Sequence, residues 1–109
     1  MIKKKSFSTN FFKFELVLDE KIVGRAFLFI IYNDIHKKPY GLLEDVFVEP
    51  EYRNKGIGKN LVKRVIEKAK EIGCYKLIAT SRFEREYVHQ FYESLGFKKW
   101  GYELRLDLE

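Results

Sequence analysis

Apolar and polar positions change their period twice along this chain. Phe11 to Leu18 (FFKFELVL) is dense in strand formers and partly alternates, which predicts a β-strand. Asp19-Glu20-Lys21 interrupts it as a turn, and Ile22–Tyr32 (IVGRAFLFIIY) predicts a second strand, so the two form a hairpin. Asn33 to Gly41 (NDIHKKPYG) has the Asn, Asp, Pro and Gly of a loop. Leu42 to Val48 predicts a third strand, stopped by Pro50. From Ile57 the period becomes helical: Ile57, Leu61, Val65, Ala69 and Ile72 form a stripe, widened by Val62 and Ile66. Gly73 stands where a helix C-terminal glycine belongs.

Tyr75 to Thr80 (YKLIAT) then predicts a short buried strand, and Val88, Phe91, Tyr92 and Leu95 a second helix closed by Gly96. The remaining FKKWGYELRLDL fits another strand pair. The order is β-β-β-α-β-α-β(-β). Antiparallel strands open the chain, and strand–helix alternation in its second half implies parallel pairing there. The expected fold class is mixed α/β (α+β): a partly antiparallel twisted sheet flanked by helices, in a single domain over residues 1–109.

Composition narrows this picture. An apolar share of 46% over 109 residues permits one modest core, and ten Phe with seven Tyr make much of it ring packing. MIKKK lacks the apolar segment of a signal peptide, and no stretch approaches a membrane span. A lone Cys74 excludes an internal disulfide, and with two histidines it argues against structural zinc or any other metal. The expected location is the cytoplasm. A net charge of +5 suits an anionic ligand, but Lys and Glu are interspersed, unlike the one-sided basic face of a nucleic-acid binder.

The informative stretch is LEDVFVEPEYRNKGIGKNLVKRVIEKA, Leu43 to Ala69. A strand ends at Pro50, and Arg53-Asn54-Lys55-Gly56-Ile57-Gly58 leads into the helix. A helix N-terminus exposes N–H groups without internal partners and carries the positive end of the macrodipole. Glycine lets that backbone approach a phosphate, and Arg53, Lys55 and Lys59 add positive charge. A P-loop is excluded because Asn60 follows Gly58-Lys59 and Arg53 holds its first glycine position. A dinucleotide fingerprint is excluded because Leu61 replaces its third glycine. GxG alone is also compatible with an ordinary strand-to-helix turn.

Two separated segments carry a more specific signal: Val48-Glu49-Pro50-Glu51-Tyr52-Arg53-Asn54-Lys55-Gly56-Ile57-Gly58 and His89-Gln90-Phe91-Tyr92-Glu93-Ser94-Leu95-Gly96-Phe97. In this order, with a helix and a strand between them, they resemble the GNAT superfamily of N-acetyltransferases from about Ile22 onward. Its R/Q-x-x-G-x-G/A pattern falls on Arg53, Gly56 and Gly58. The resemblance implies that the loop, with Phe47, Val48, Asn54, Lys55, Ile57 and Lys59, binds acetyl-coenzyme A and cradles its pyrophosphate. It further implies direct attack of an amine on the thioester in a ternary complex, without an acyl-enzyme. Cys74, at the predicted helix end, reads as a small buried residue.

The same resemblance implies a backbone N–H near Val48 as donor to the thioester carbonyl, and Tyr92 as the acid that protonates the leaving thiolate. Without it, Tyr92 reads as a core aromatic beside Val88 and Leu95. LEDVFV resembles the corresponding strand of the diamine (spermidine/spermine) acetyltransferases, implying Glu44 as base through a water and Asp45 as a substrate-binding alternate. Adjacent strand residues point to opposite faces, so only one can enter a cleft unless a bulge intervenes. His89 reads as a packing residue rather than a second base.

Two departures from the family pattern bear on function. About ten residues precede the first strong strand, so the usual N-terminal helix pair that walls the acceptor site is expected to be missing or shortened. Arg85 stands where the family commonly has an asparagine that contacts the pantetheine arm, and an arginine could instead reach a coenzyme A phosphate. The expected acceptor is a small-molecule, peptide or protein amine, with a cationic one favoured by the acidic pair. An uncovered sheet face makes a homodimer the expected assembly. The competing reading is a non-catalytic acyl-CoA-binding or interaction domain.

Overall fold

Asp19 and Glu20 alone join β1 (Phe11–Leu18) to β2 (Lys21–Ile31), and both sit at positive φ, 48° and 65°. That backbone matches the right-handed twist of the strands it connects. The computed structural model describes residues 1–109, which fall into two compact units, Met1–Ala79 and Thr80–Glu109. In the first, β2 pairs antiparallel with both β1 and β3 (Tyr40–Val48), and β3 pairs parallel with β4 (Leu77–Ala79). The sheet order is β1-β2-β3-β4. A 3-10 turn over Pro50–Tyr52 and α1 (Ile57–Ile72) form the crossover from β3 to β4. A parallel pair requires such a crossover.

The core lies between α1 and one face of this sheet. Ile57, Leu61, Val62, Val65 and Ala69 of α1 are buried, as are Ala26, Leu28, Ile30 and Leu43 from the strands. Each fully buried Val or Leu contributes roughly 1.5–3 kcal/mol. Gly24 lets the helix ride close: a Cβ there would stand 3.0 Å from Leu61 Cδ1 and 3.1 Å from Ile57 Cγ2. On the opposite face Arg25, Phe27, Phe29 and Leu42 are only half-buried, and Phe11 is exposed. No helix of the chain is long and apolar enough to cross a membrane.

The second unit contains α2 (Glu86–Ser94), closed by Gly96 at φ 97° with Phe97 N–H donating to Tyr92 O at 3.1 Å. The expected strand pair over Phe97–Leu108 is absent; these residues take up no regular structure. Their alternation is real, since Trp100, Tyr102, Leu104, Leu106 and Leu108 occupy every second position. All five are at least 80% exposed. Alternation specifies a strand only where a sheet edge and a covering face are supplied, and this unit contains no strand to pair with. The expected Tyr75–Thr80 strand contracts to Leu77–Ala79, because Tyr75 N–H donates to Pro39 O at 3.0 Å rather than to a strand ladder. Residues 1–10 form no helix or strand.

Leu28 has no exposed surface, so Leu28→Ala should lower unfolding free energy by about 2–5 kcal/mol in a urea titration. Gly73 caps α1 at φ 93° with nothing within 4 Å of an added Cβ. Gly73→Ala should therefore cost only the left-handed backbone penalty, about 1–2 kcal/mol by the same measurement.

Candidate functional site

The ladder between β2 and β3 breaks its register once. Arg25 faces Phe47 and Phe27 faces Glu44, so Asp45 and Val46 together oppose Ala26. This is a β-bulge, with Asp45 at φ 51°. Asp tolerates the left-handed region better than most residues because its short side chain can bond locally. Here the Arg25 fork holds it: Nε donates to Oδ2 and Nη2 to Oδ1, both at 3.3 Å. The pair is substantially exposed, and such pairs contribute only about 0–1 kcal/mol, so it orients Asp45 more than it stabilises the fold.

The bulge resolves the alternation problem raised by two adjacent carboxylates. Glu44 and Asp45 line the same hollow, of about 450 Å³, together with Phe27, Phe29 and Leu42. The hollow opens on the sheet face away from α1. Glu44 has neither hydrogen bond nor ion pair, whereas Asp45 is committed to Arg25. The two acids are thus chemically distinct, with Glu44 the free one.

The strands also part here. The β3–β4 ladder runs from Gly41/Leu77 to Leu43/Ala79 and stops, while β3 continues to Val48. Glu44 to Val48 therefore presents a backbone edge without a strand partner on the β4 side. Beyond it, Glu49 N–H donates to Val23 O at 2.9 Å before the 3-10 turn begins.

The loop then positions the start of α1. Asn54 lies at φ 63° and Gly56 at φ 81°. Gly56 is the N-cap, no side chain caps the helix, and its first turn contains no acid. A Cβ on Gly56 would meet nothing within 4 Å, so the space above the helix start is open. Lys55 and Lys59 are exposed beside it, with the Lys55 ammonium 5.4 Å from the Tyr52 ring centre. The Ile57 side chain is buried and turns inward to the core, leaving its backbone at the helix start. Arg53 reaches back along the loop: its Nε donates to Val48 O at 2.8 Å, and its guanidinium lies 5.3 Å from the Phe47 ring. Arg25 covers the same ring at 4.7 Å. Phe47 between two guanidiniums links the bulge to the loop.

Tyr92 and Arg85 belong to the second unit. Tyr92 is half-buried on α2, its ring 5.3 Å from both Phe91 and Phe97. Arg85 is the exposed N-cap of α2, with its carbonyl accepting from Val88 N–H at 3.0 Å. His89 is half-buried: Nε2 bonds Arg82 O at 2.8 Å, and Nδ1 lies 3.7 Å from Glu86, too far for a hydrogen bond. Cys74 is half-buried, and burial pushes its thiol up, away from the nucleophilic thiolate.

Sequence reasoning missed Arg25, Phe27, Phe29 and Leu42. One signal was available: Arg25 is a lone charge within the apolar run IVGRAFLFII, as Glu44-Asp45 is within LLEDVFV. A charge inside a strand that is otherwise apolar calls for a partner, and Arg25 has Asp45.

The chain is similar to known acetyltransferases. The chain is 40% identical over 89 residues to a glucosamine 6-phosphate N-acetyltransferase of Trypanosoma brucei brucei, covering 81% of this chain and 58% of the relative. It is 34% identical over 65 residues to an aminoglycoside N(6')-acetyltransferase type 1 of Acinetobacter baumannii, covering 60% of this chain and 44% of that protein. The crystal structure of a Trypanosoma brucei acetyltransferase superposes with a TM-score of 0.75 at 40% identity, over 82% of this chain and 61% of that one. The chain thus spans between 44% and 61% of the length of these relatives. The acetyltransferase (GNAT) family profile matches residues 3–97, taking in the β3 bulge, the basic loop and α2. By that match, the chain belongs to the acetyltransferase (GNAT) family.

Proposed function

We propose that this chain transfers acetyl from acetyl-CoA to a primary amine. The observation that carries the proposal is the continuity of the bulged, edge-exposed stretch Glu44–Val48 with an uncapped, basic helix start at Gly56. The residues fit the cofactor. N–H groups of the first turn of α1, the space over Gly56, and Lys55 and Lys59 suit a pyrophosphate. Asn54 and Gly58 supply backbone on either side. The free edge of Glu44–Val48 suits the amide-bearing arm, since exposed strand N–H and C=O groups pair readily with another extended chain.

Acetyl-CoA supplies the thioester. The chain's residues then have the following roles in the proposed reaction. The Val48 N–H donates to the carbonyl oxygen, where negative charge develops as the amine attacks. Glu44, free of any partner, takes the ammonium proton through a water. Asp45, fixed by Arg25, lines the acceptor seat beside it as the substrate-binding alternate. As the new C–N bond forms, the C–S bond breaks, and Tyr92 gives the departing thiolate its proton. The proton the nitrogen sheds on becoming an amide passes through solvent to restore the Tyr92 phenol. Arg85 is assigned to a coenzyme A phosphate. Arg53 supports the loop through Val48 O, and its exposed guanidinium is assigned to the cofactor's phosphates.

The direct test is calorimetric titration with acetyl-CoA, coupled to thiol release over a panel of amines; failure to bind acetyl-CoA would overturn the proposal. Lys55→Glu combined with Lys59→Glu should weaken acetyl-CoA binding by roughly 1.5–3 kcal/mol, tenfold or more, without lowering Tm, as both side chains are exposed. Tyr92→Phe should lower kcat by about 10²-fold and leave the acetyl-CoA Kd unchanged. Cys74→Ser should leave both unchanged; a lost burst of thiol would instead reveal an acyl-enzyme.

A further inference from the structure

We propose that the hollow beside Glu44 selects an amine with one positive charge and an apolar body, an alkyl or arylalkyl monoamine, over a sugar phosphate or a polycation. This rests on the acetyl-transfer reading, in that it takes the hollow as the acceptor seat.

Three observations on the same sheet face carry it. First, the walls are apolar. Phe27 and Phe29 lie with ring centres 6.2 Å apart and 20° between planes, Phe11 stacks on Phe29 at 4.9 Å, and Leu42 completes the lining. Besides Glu44 and Asp45, no polar side chain lines it. A sugar would bring hydroxyl groups that lose water here and find no partners, which disfavours it.

Second, the charge count allows one ammonium. Glu44 and Asp45 contribute two negative charges, and Arg25, locked onto Asp45 at 3.3 Å, returns one positive charge. A polycation therefore meets a single uncompensated carboxylate. A phosphate finds no cation in the lining, only the paired Arg25 on Asp45, and the ammonium over Phe27, that of Lys13, already pairs with Glu15 at 3.3 Å.

Third, Glu44 and Phe27 are direct partners across the β2–β3 ladder, so their side chains stand side by side on one face. An ammonium bound at Glu44 has the Phe27 ring as its neighbour. Carboxylate and ring face together stabilise an alkylammonium, and the ring continues as the surface on which its apolar body lies. The volume of about 450 Å³ suits a small molecule of that kind.

The test uses the full chain and measures binding separately from turnover. Phenylethylamine, hexylamine, spermidine, glucosamine 6-phosphate and an aminoglycoside are titrated by ligand-observed NMR, with and without acetyl-CoA, alongside thiol release. Phenylethylamine and hexylamine should each bind at least about tenfold tighter than the other three. Phe27→Ser should remove most of that preference. Phe27→Leu, which keeps the wall apolar, should retain hexylamine binding and guards against misfolding as the cause. Arg25→Gln, which leaves Asp45 uncompensated, should shift preference toward spermidine, a change that mere loss of structure would not produce.

Tighter binding of glucosamine 6-phosphate or the aminoglycoside, no binding of any apolar amine, or indifference to Phe27→Ser would each overturn the proposal. Apolar amine binding without thiol release would uphold the seat and count against acetyl transfer. Thiol release that is fastest with the sugar phosphate would do the reverse.

Discussion

Two residues of β3 standing opposite one residue of β2 is the constraint on which the site depends. A regular ladder through Glu44–Asp45–Val46 would send the two carboxylates to opposite faces, one of them toward α1 and the core. The bulge turns both outward, into the hollow lined by Phe27, Phe29 and Leu42. It also lets the following residues, Phe47 and Val48, resume pairing with Arg25 and Gly24 in a shifted register. Without that shift the end of β3 would meet the loop with its side chains reversed.

The Arg25–Asp45 pair and the Phe47 ring transmit this local geometry to the loop. Arg25 holds the bulged Asp45 and covers one side of Phe47; Arg53 covers the same ring and reaches back to Val48 O. None of these exposed contacts adds much stability singly. Together they tie the acid-bearing part of β3 to the helix start. The acids of the proposed acceptor seat and the proposed phosphate cradle are joined by one continuous segment, Glu44 to Gly58, over a core of α1 and the sheet. Precision of that kind comes more readily from a strand and a helix than from a long free loop.

The two carboxylates show how environment separates residues of identical chemistry. Asp45 carries a bidentate cation and cannot readily give up its role of charge partner. Glu44, one residue earlier, has no partner and faces an aromatic wall. In the proposed reaction the free acid receives the ammonium and moves its proton, while the paired one lines the seat. The same division gives the hollow its single uncompensated negative charge.

By itself, the sequence determined the hairpin, the amphipathic α1 stripe from Ile57 to Ala69, the Gly73 and Gly96 terminators and the basic glycine-bearing helix start. These depend on periodicity and on backbone chemistry within a few residues, which sequence spacing records directly. The acidic pair was also legible as chemistry, but its common orientation was not. Only pairing with Phe27 and Arg25, twenty or so positions away in the chain, produces the bulge that turns both acids one way. Alternation likewise marked Trp100 to Leu108 as strand-like, yet those residues remain exposed and unpaired. Local pattern states what a segment can become, whereas hydrogen-bond partners and a covering face, which only tertiary structure supplies, decide whether it does.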